Sequence, residues 1–301
     1  MITSTPLRIG TRDSQLAVWQ ATLVKIELQK HGVVSELIFI KSEGDIDLAT
    51  PLYEIGIQGI FTKTLDAALL NKRIDIAVHS MKDVPTQLAK GLTTAAVLPR
   101  ANYKDIFVFK EDCSFLDDEK STATIATSSV RRIAQWLHKY PNHTVENLRG
   151  NVNTRLQKIN DNEWHGAIFA AAGLERIQLR PQKSIDLTWM LPAPAQGAIV
   201  VLCREDDFGA KQNCSPLHNE ATYVCTKTER DFLRTLQGGC STPIGALAQI
   251  NNNNLQFKGN WFSMDGKEKY EVERTILMSS YKEDFGSQMA KELLCKKAML
   301  S

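Results

Sequence analysis

Short apolar runs alternate along the chain with longer segments in which apolar residues recur every three or four positions. Runs typical of β-strands lie at residues 7–11, 35–40, 74–79, 124–127, 145–148, 167–170 and 198–202. Helical spacing occupies residues 14–30, 61–70 and 129–140. In the first of these helices the predicted apolar face consists of Leu16, Trp19, Leu23, Ile26 and Leu28. Alternation of this kind predicts an α/β fold.

Two proline-containing segments, residues 98–102 and 191–195, interrupt this alternation. Proline fixes its own φ angle and disfavours the helical conformation of the residue before it, so both segments are candidate domain boundaries. A third boundary is predicted near residues 214–220. Beyond it the pattern predicts a helix at 220–236, strands at 244–249 and 255–258 around an asparagine turn, and a final helix at about 285–300.

Composition narrows the class of protein. The chain has 301 residues, 43% of them hydrophobic, and a net charge of +2, which gives no field that favours nucleic acid or acidic membranes. No apolar run reaches the roughly 18–20 residues of a membrane span, and the amino terminus lacks the pattern of a secretory signal. The six cysteines are widely spaced and are expected to be reduced thiols, without a metal site. We therefore expect a cytoplasmic protein.

Polar and cationic residues follow three predicted strands, at residues 10–14, 127–132 and 148–155. Ligands of parallel α/β sheets bind at the carboxyl ends of strands, where helix N-termini attract anions and arginines pair with carboxylate or phosphate. The pattern predicts a site for a ligand with several anionic groups; the alternative is that each arginine lies on a surface helix. Because these arginines follow strand ends, replacing Arg131 or Arg149 is expected to impair ligand binding more than folding.

Two further segments carry candidate chemistry. Asp83 lies in the segment 79–85, which follows an apolar strand. Its carboxylate could serve as a general acid or base, or it could bond its own backbone and start a turn, and the sequence favours neither role over the other. Cys240 follows two glycines, which favours an accessible, reactive or modified thiol, although most unpaired cysteines are buried and inert. The chain lacks the usual motifs for nucleotide hydrolysis, dinucleotide binding, zinc proteolysis and serine hydrolysis.

The strings at residues 74–85, 127–132, 148–156 and 238–240 resemble, in the same order, those of the porphobilinogen deaminases, also called hydroxymethylbilane synthases. The resemblance extends from Leu7 to about Gly245. It implies two α/β lobes with mixed sheets, similar to periplasmic binding proteins, and a smaller α+β third domain. Lobe one would comprise residues 1–98 and 198–216, lobe two 103–191, and the C-terminal cofactor-attachment domain 217–301.

The resemblance also implies the activity. Members of this family join four porphobilinogen molecules head to tail with loss of ammonia, then release linear hydroxymethylbilane by adding water. They use a dipyrromethane cofactor, which here would be joined covalently to Cys240. A monomer that binds neither nucleic acid nor membrane is expected.

The family's functional positions fall on residues of three kinds. The catalytic aspartate corresponds to Asp83. The other cofactor-binding positions correspond to Ser14, Lys82, Thr127, Ser128, Ser129, Arg131, Arg132 and Arg155. The substrate-binding positions correspond to Arg12, Arg149, Arg176 and Gln196.

Three residues depart from the family pattern. Gln58 stands where many members have lysine, Ala195 where glycine is usual, and Leu202 where glutamate is common. These departures suggest one alternative to an active deaminase, an inactive relative. A separate alternative is a two-lobed protein that binds a small anion without chemistry and does not need Cys240.

Overall fold

The computed structural model describes residues 5–41, 62–118, 120–239 and 242–300. They divide into two compact units, each described by itself. The first unit holds described residues 5–41, 62–101 and 197–223, and the second holds 102–118, 120–196, 224–239 and 242–300. The chain therefore leaves the first unit and returns to it at the two proline-containing segments.

Strands and helices alternate through most of the described chain, as the apolar pattern predicts. The strands are β1 (Leu7–Thr11), β2 (Ser35–Phe39), β3 (Ile76–Ser80), β4 (Leu92–Val97), β5 (Asp105–Phe109), β6 (Thr124–Ala126), β7 (Thr144–Glu146), β8 (Gly166–Ala170), β9 (Ser184–Asp186), β10 (Ile199–Arg204), β11 (Ile244–Asn251), β12 (Asn254–Phe262) and β13 (Lys269–Leu277). The helices are α1 (Gln15–Lys30), α2 (Lys63–Leu70), α3 (Val130–Lys139), α4 (Val152–Asp161), α5 (Ala171–Glu175), α6 (Phe208–Cys214), α7 (Glu220–Thr235) and α8 (Phe285–Leu300).

The first unit is built on a mixed sheet with the strand order β2-β1-β3-β10-β4. Strand β1 pairs in parallel with β2 and β3, whereas β10 runs antiparallel to β3 and β4. Its core contains Ile9, Ile76 and Val201, all fully buried. Because β1 and β3 are parallel neighbours, the residues that follow them lie at the same edge of the sheet.

Helix α1 confirms the predicted element and most of its predicted face, since Leu28 is buried and Trp19 and Leu23 pack against the core. The residues it buries are Gln20, Ala21, Val24 and Leu28, whereas Ile26 is 47% exposed. The fully buried Ala21 lies at the contact with the sheet, and the Gln20 amide nitrogen donates a hydrogen bond to Ser80 Oγ at 2.8 Å. A polar contact with the end of β3 thus helps to set the rotation of the helix, and apolar spacing alone does not predict it.

The second unit contains a mixed sheet with the order β7-β6-β8-β5-β9. Strands β6 and β7 are parallel, with Ala126 opposite Glu146, and β6 is also parallel to β8. Helix α3 follows β6 and helix α4 follows β7. The two cationic turns of the sequence, at residues 127–132 and 148–155, therefore begin side by side.

The second unit also contains a smaller antiparallel sheet, β11-β12-β13, whose core includes residues of α7 and α8. Phe232, Leu255, Phe257 and Leu293 are fully buried in that core. The asparagine turn joins β11 to β12 through two residues with positive φ, as a tight hairpin requires. Two α/β mixed sheets and a smaller α+β part confirm the predicted fold class. No helix in the described ranges has the length and apolar character needed to cross a membrane.

Candidate active site

Asp83 lies in a short 3-10 turn, Met81–Asp83, directly after β3. The flanking Met81 and Val84 are buried, and the Met81 N–H donates to the Ala198 carbonyl at 3.0 Å, so the backbone of the turn is fixed. The Asp83 side chain is exposed and makes no hydrogen bond within the described ranges. This arrangement leaves the carboxylate available to a ligand and does not support the alternative in which it bonds its own backbone to start a turn.

Asp83 shares a cavity of about 90 Å³ with Arg12 and Ser14, which lie between β1 and α1. The parallel pairing of β1 with β3 brings these two turns together. The cavity has a cation, a hydroxyl group and a carboxylate among its lining side chains, so it suits a ligand that carries both charges. Lys82, from the same turn as Asp83, is half-buried and does not line the cavity.

His79 also lines this cavity, although the motifs did not assign it a role. Its side chain is buried, and no described residue is a hydrogen-bond partner of its Nε2 atom. Burial and the positive charge of Arg12 lower the pKa of His79 to about 4. The imidazole is therefore neutral at neutral pH.

In the second unit, Arg131 and Arg132 form a buried ion cluster with Asp105, the first residue of β5. Arg131 Nη1 lies 2.7 Å from Asp105 Oδ2, and Arg132 Nη2 lies 2.7 Å from Oδ1. Arg131 is 3% exposed and Arg132 7% exposed. Burial alone would raise the pKa of Asp105, but the charges of both arginines outweigh it and hold that pKa well below its usual range. The carboxylate is therefore ionised, and two cations and one anion leave a single net positive charge.

This burial changes one expectation. Arg131 does follow a strand end, but its guanidinium lies inside the unit and also donates to the Leu191 carbonyl at 2.7 Å. Gln135 holds the same residue, since Leu191 N–H donates to Gln135 Oε1 at 2.8 Å. Replacing Arg131 should therefore affect folding as well as binding, because it anchors the second proline-containing segment.

Ser128 joins the two cationic turns. Its oxygen accepts a hydrogen bond from the Leu148 N–H at 2.9 Å, and its own proton faces the Leu148 carbonyl, at 2.7 Å, and Asn147 Oδ1. Ser129 begins α3 without a side-chain cap, while Thr127 Oγ1 accepts from the Ser129 N–H at 3.3 Å. The first-turn N–H groups of α3 have no partners within the helix, so this end of the helix can bind an anion.

The second cationic turn is shaped by its own backbone. Gly150 has a φ of +113°, which only glycine adopts readily, and its carbonyl accepts from Arg155 Nε at 2.7 Å. Asn151 caps α4 by accepting from the Thr154 N–H at 3.0 Å. Arg149 is buried within the turn, at 5% exposure. Arg155 is therefore held by the turn that precedes it.

Gln196 and Arg176 are also placed by the structure. Gln196 is buried, and its amide nitrogen donates to the Tyr103 carbonyl at 2.8 Å and to Asp105 Oδ1 at 2.9 Å. Burial lowers the pKa of Arg176 to about 10, so it remains cationic at neutral pH. Gln196 thus belongs to the Asp105 cluster, a link that its position in the sequence did not indicate.

The structure accounts for two of the three residues that depart from the family pattern, Ala195 and Leu202. Ala195 adopts a φ of +62°, which explains why glycine is usual there, and its N–H donates to Glu229 Oε2 at 2.6 Å. Leu202 is buried on β10, opposite Ala77, where an apolar side chain fits the core. Gln58 and Cys240 lie outside the described residues.

The structure thus brings the predicted residues together in two groups. In the first unit Arg12, Ser14 and Asp83 share one cavity. In the second unit the turns that carry Thr127, Ser128, Ser129, Arg131, Arg132, Arg149 and Arg155 are neighbours, and Gln196 joins them through Asp105. Asp105 and His79 are the functional candidates that the motifs missed. His79 lies inside a resembling string, whereas nothing in the sequence around Asp105 marks it.

Comparison with protein families gives two matches. Residues 7–212 match the model of the porphobilinogen deaminase dipyromethane cofactor binding domain, and residues 223–295 match that of the porphobilinogen deaminase C-terminal domain.

Among solved structures, the chain is similar to a periplasmic substrate-binding protein of an ABC transporter from Coxiella burnetii (15% identity, 74% of this chain and 96% of that chain, TM-score 0.42). It is also similar to the methionine-binding protein MetQ (12% identity, 72% of this chain and 91% of that chain, TM-score 0.42).

Curated relatives agree with the family models. The chain is 40% identical over 295 residues to the porphobilinogen deaminase of Chlorobium phaeobacteroides strain BS1, covering 96% of this chain and 94% of that protein. It is 43% identical over 279 residues to the chloroplastic porphobilinogen deaminase of Oryza sativa subsp. japonica, covering 89% of this chain and 77% of that protein. The resemblance drawn from the motifs is confirmed, and the chain belongs to the porphobilinogen deaminase family.

Proposed function

We propose that this protein is a porphobilinogen deaminase: it joins four porphobilinogen molecules head to tail, releases one ammonia for each, and frees linear hydroxymethylbilane by adding water. The observation that carries the proposal is the cavity of the first unit, where the exposed Asp83 carboxylate lies with Arg12 and Ser14. Porphobilinogen carries carboxylate side chains and an aminomethyl group, so it needs both kinds of partner.

The residues of the second unit suit a dipyrromethane cofactor. Its carboxylate side chains would be held by Arg131, Arg132 and Arg155, with Thr127 and Ser129 beside the N-terminus of α3. Ser14 and Lys82 of the first unit are proposed as further cofactor contacts, and Cys240 as the covalent attachment. When bound, the dipyrromethane supplies the pyrrole carbon to which the first substrate molecule is joined.

Asp83 acts on the charge that develops in the reaction. Ammonia leaves the aminomethyl carbon with the bonding electron pair, so positive charge spreads over the substrate pyrrole. A fixed carboxylate lowers the energy of that charge, and the buried residues on either side of Asp83 hold it in place. Arg12, Arg149, Arg176 and Gln196 are proposed to bind and orient the substrate, the first three through its carboxylates.

Asp83→Asn tests this role because it keeps the shape of the side chain and removes its charge. The variant should carry the cofactor, as judged by intact mass, but release ammonia about 10²–10⁴ times more slowly in a single turnover. Asp83→Glu should keep slight activity, since its charge is displaced by one methylene group.

The matched control is Asp206→Asn, whose side chain is 76% exposed in the same unit and does not line the cavity. It should react at the wild-type rate. If Asp83→Asn carries the cofactor and turns over at that rate, Asp83 is not the catalytic carboxylate. If the wild-type protein binds porphobilinogen without releasing ammonia, the deaminase activity is refuted in favour of a small-anion binding protein or an inactive relative.

We further propose that the enzyme acts as a cytoplasmic monomer. We also propose the domain limits implied by the resemblance, with lobe one at 1–98 and 198–216, lobe two at 103–191 and the third domain at 217–301. Light scattering on the purified protein would test the monomer, and limited proteolysis would test the limits. Cleavage inside a proposed lobe before cleavage at its ends would contradict them.

A further inference from the structure

Asp105 is the only carboxylate that contacts both Arg131 and Arg132 among the described residues. Its side chain is completely buried at the start of β5. Oδ1 accepts from Arg132 Nε at 3.1 Å, from Arg132 Nη2 at 2.7 Å and from Gln196 Nε2 at 2.9 Å. Oδ2 faces Arg131 Nη1 at 2.7 Å. One carboxylate thus connects three residues proposed to act on cofactor or substrate.

Each arginine has a second fixed contact with the backbone. Arg132 Nη1 donates to the Ile168 carbonyl at 2.9 Å, and Arg131 Nη1 donates to the Leu191 carbonyl at 2.7 Å. Arg131 Nε is buried and has no hydrogen-bond partner in the described part of the chain. The guanidiniums are therefore held rigidly, while a donor of Arg131 remains for a further acceptor.

The charges of the cluster determine what it can bind. Two guanidiniums buried this close repel each other unless an anion lies between them. Asp105 compensates one of the two charges, so the cluster attracts one further carboxylate. An asparagine at the same position would leave two buried cations and would turn a donor group towards one of them.

We propose that Asp105 is a positioning residue for cofactor assembly, which fixes Arg131 and Arg132 and leaves one net positive charge for one ligand carboxylate. The inference rests on the proposed function of these arginines. Asp105 itself need not contact the ligand, since Oδ1 accepts from Arg132 and Gln196 and Oδ2 lies at ion-pair distance, 2.7 Å, from Arg131 Nη1.

The test compares Asp105→Asn and Asp105→Glu with the wild type and with Asp186→Asn. Asp186 is a matched control because it also pairs with two cations of the second unit, Lys104 at 2.8 Å and Arg180 at 2.7 Å, but lies outside the Asp105 cluster. Each purified protein is incubated with porphobilinogen. The fraction carrying the dipyrromethane adduct is then measured by intact mass, and thermal unfolding is measured on the same samples.

Asp105→Asn should load the cofactor about tenfold less or worse, the effect of losing one charge-assisted contact. Asp186→Asn should load fully. Asp105→Glu keeps the charge one methylene out of place, so it should unfold close to the wild type but still load several-fold less. A merely structural role requires loading and stability to change together, and a stable, fully loaded Asp105→Glu would overturn the proposal.

The double variant Asp105→Asn with Gln196→Glu covers the case in which Asp105→Asn does not fold. It moves the carboxylate to the residue that donates to Oδ1, which restores the net charge but not its position. It should recover stability without recovering loading, and full loading would refute positioning by Asp105. Arg132→Leu distinguishes failure of the proposed cofactor-binding role of the arginines from failure of the positioning role of Asp105. If Arg132→Leu loads the cofactor normally, the role of the arginine fails. If Arg132→Leu does not load the cofactor but the Asp105 variants load it fully, only the role of Asp105 fails.

Discussion

His79 makes the electrostatics of the first unit measurable. Its imidazole is buried, and burial together with Arg12 lowers its pKa from 6.5 to about 4. The folded protein therefore resists a protonation that the unfolded chain accepts below pH 6.5. The contribution of His79 to stability is complete above pH 6.5 and is lost as the pH falls from 6.5 to 4.

The size of the effect follows from the two pKa values. Each pKa unit between the folded and unfolded states corresponds to about 1.4 kcal/mol. The span from 6.5 to about 4 corresponds to about 3 kcal/mol in the free energy of unfolding. About 2 kcal/mol of this should be lost between pH 7 and pH 4.5, because the titration is incomplete at both limits.

The assay is urea unfolding of the wild type and His79→Leu at these two pH values. Leucine has a volume similar to that of histidine and does not titrate. Any change in packing acts at both pH values and cancels in the difference between them. The wild type should therefore lose about 2 kcal/mol more than the variant on acidification.

His31→Leu, at the exposed carboxyl end of α1, is the control and should lose as much stability as the wild type. Equal acid destabilisation of His79→Leu and the wild type would refute the assignment of a buried, neutral imidazole.

Three further predictions concern packing, the ion cluster and the thiols. Gly286→Ala should destabilise the protein by about 3 kcal/mol or more in urea unfolding, because the new Cβ would lie 2.1 Å from a backbone carbonyl oxygen of α7; Gly209→Ala, also at the second position of a helix, meets nothing closer than 3.7 Å and should be neutral or stabilising. Arg131→Leu should cost about 3 kcal/mol in the same assay, since it removes one partner of a buried ion pair, and a cost below about 1 kcal/mol would contradict the cluster. Iodoacetamide should label the exposed Cys295 of the native protein and spare Cys214, whose pKa burial raises to about 12; mass mapping of rapid Cys214 labelling would contradict this.

The fold class could be predicted because the central strands carry apolar residues on both faces. Strands β3 and β10 are buried along almost their whole length, and their apolar runs stand out in the sequence. Strand β13 was not predicted, because it alternates charged residues and buries only Val272. Its place is set by pairing with β12, a long-range contact that leaves no local apolar run.

The position of the candidate site could also be predicted in part. Arg12, Ser14 and Asp83 follow neighbouring parallel strands, and this topology is sufficient to bring them to one cavity. The sequence did not reveal which of the predicted site side chains make hydrogen bonds to other groups of the protein itself. Ser128 and Gln196 match family positions, yet each makes hydrogen bonds that hold the protein's own turns and strands.

Asp105 shows why the chemistry of a motif cannot be judged from its cations alone. The tandem arginines at 131 and 132 stand out in the sequence, whereas their counter-ion lies 26 positions earlier than the first of them, at the start of an apolar strand. Without Asp105, the two arginines would present two positive charges at a surface. With Asp105, they form a buried cluster whose net charge is a single positive charge. The difference determines how many carboxylates the cluster attracts, and it depends on which strand lies beside α3. Only the assembled sheet supplies that information, because the contact between β5 and α3 follows from strand order and not from proximity along the chain.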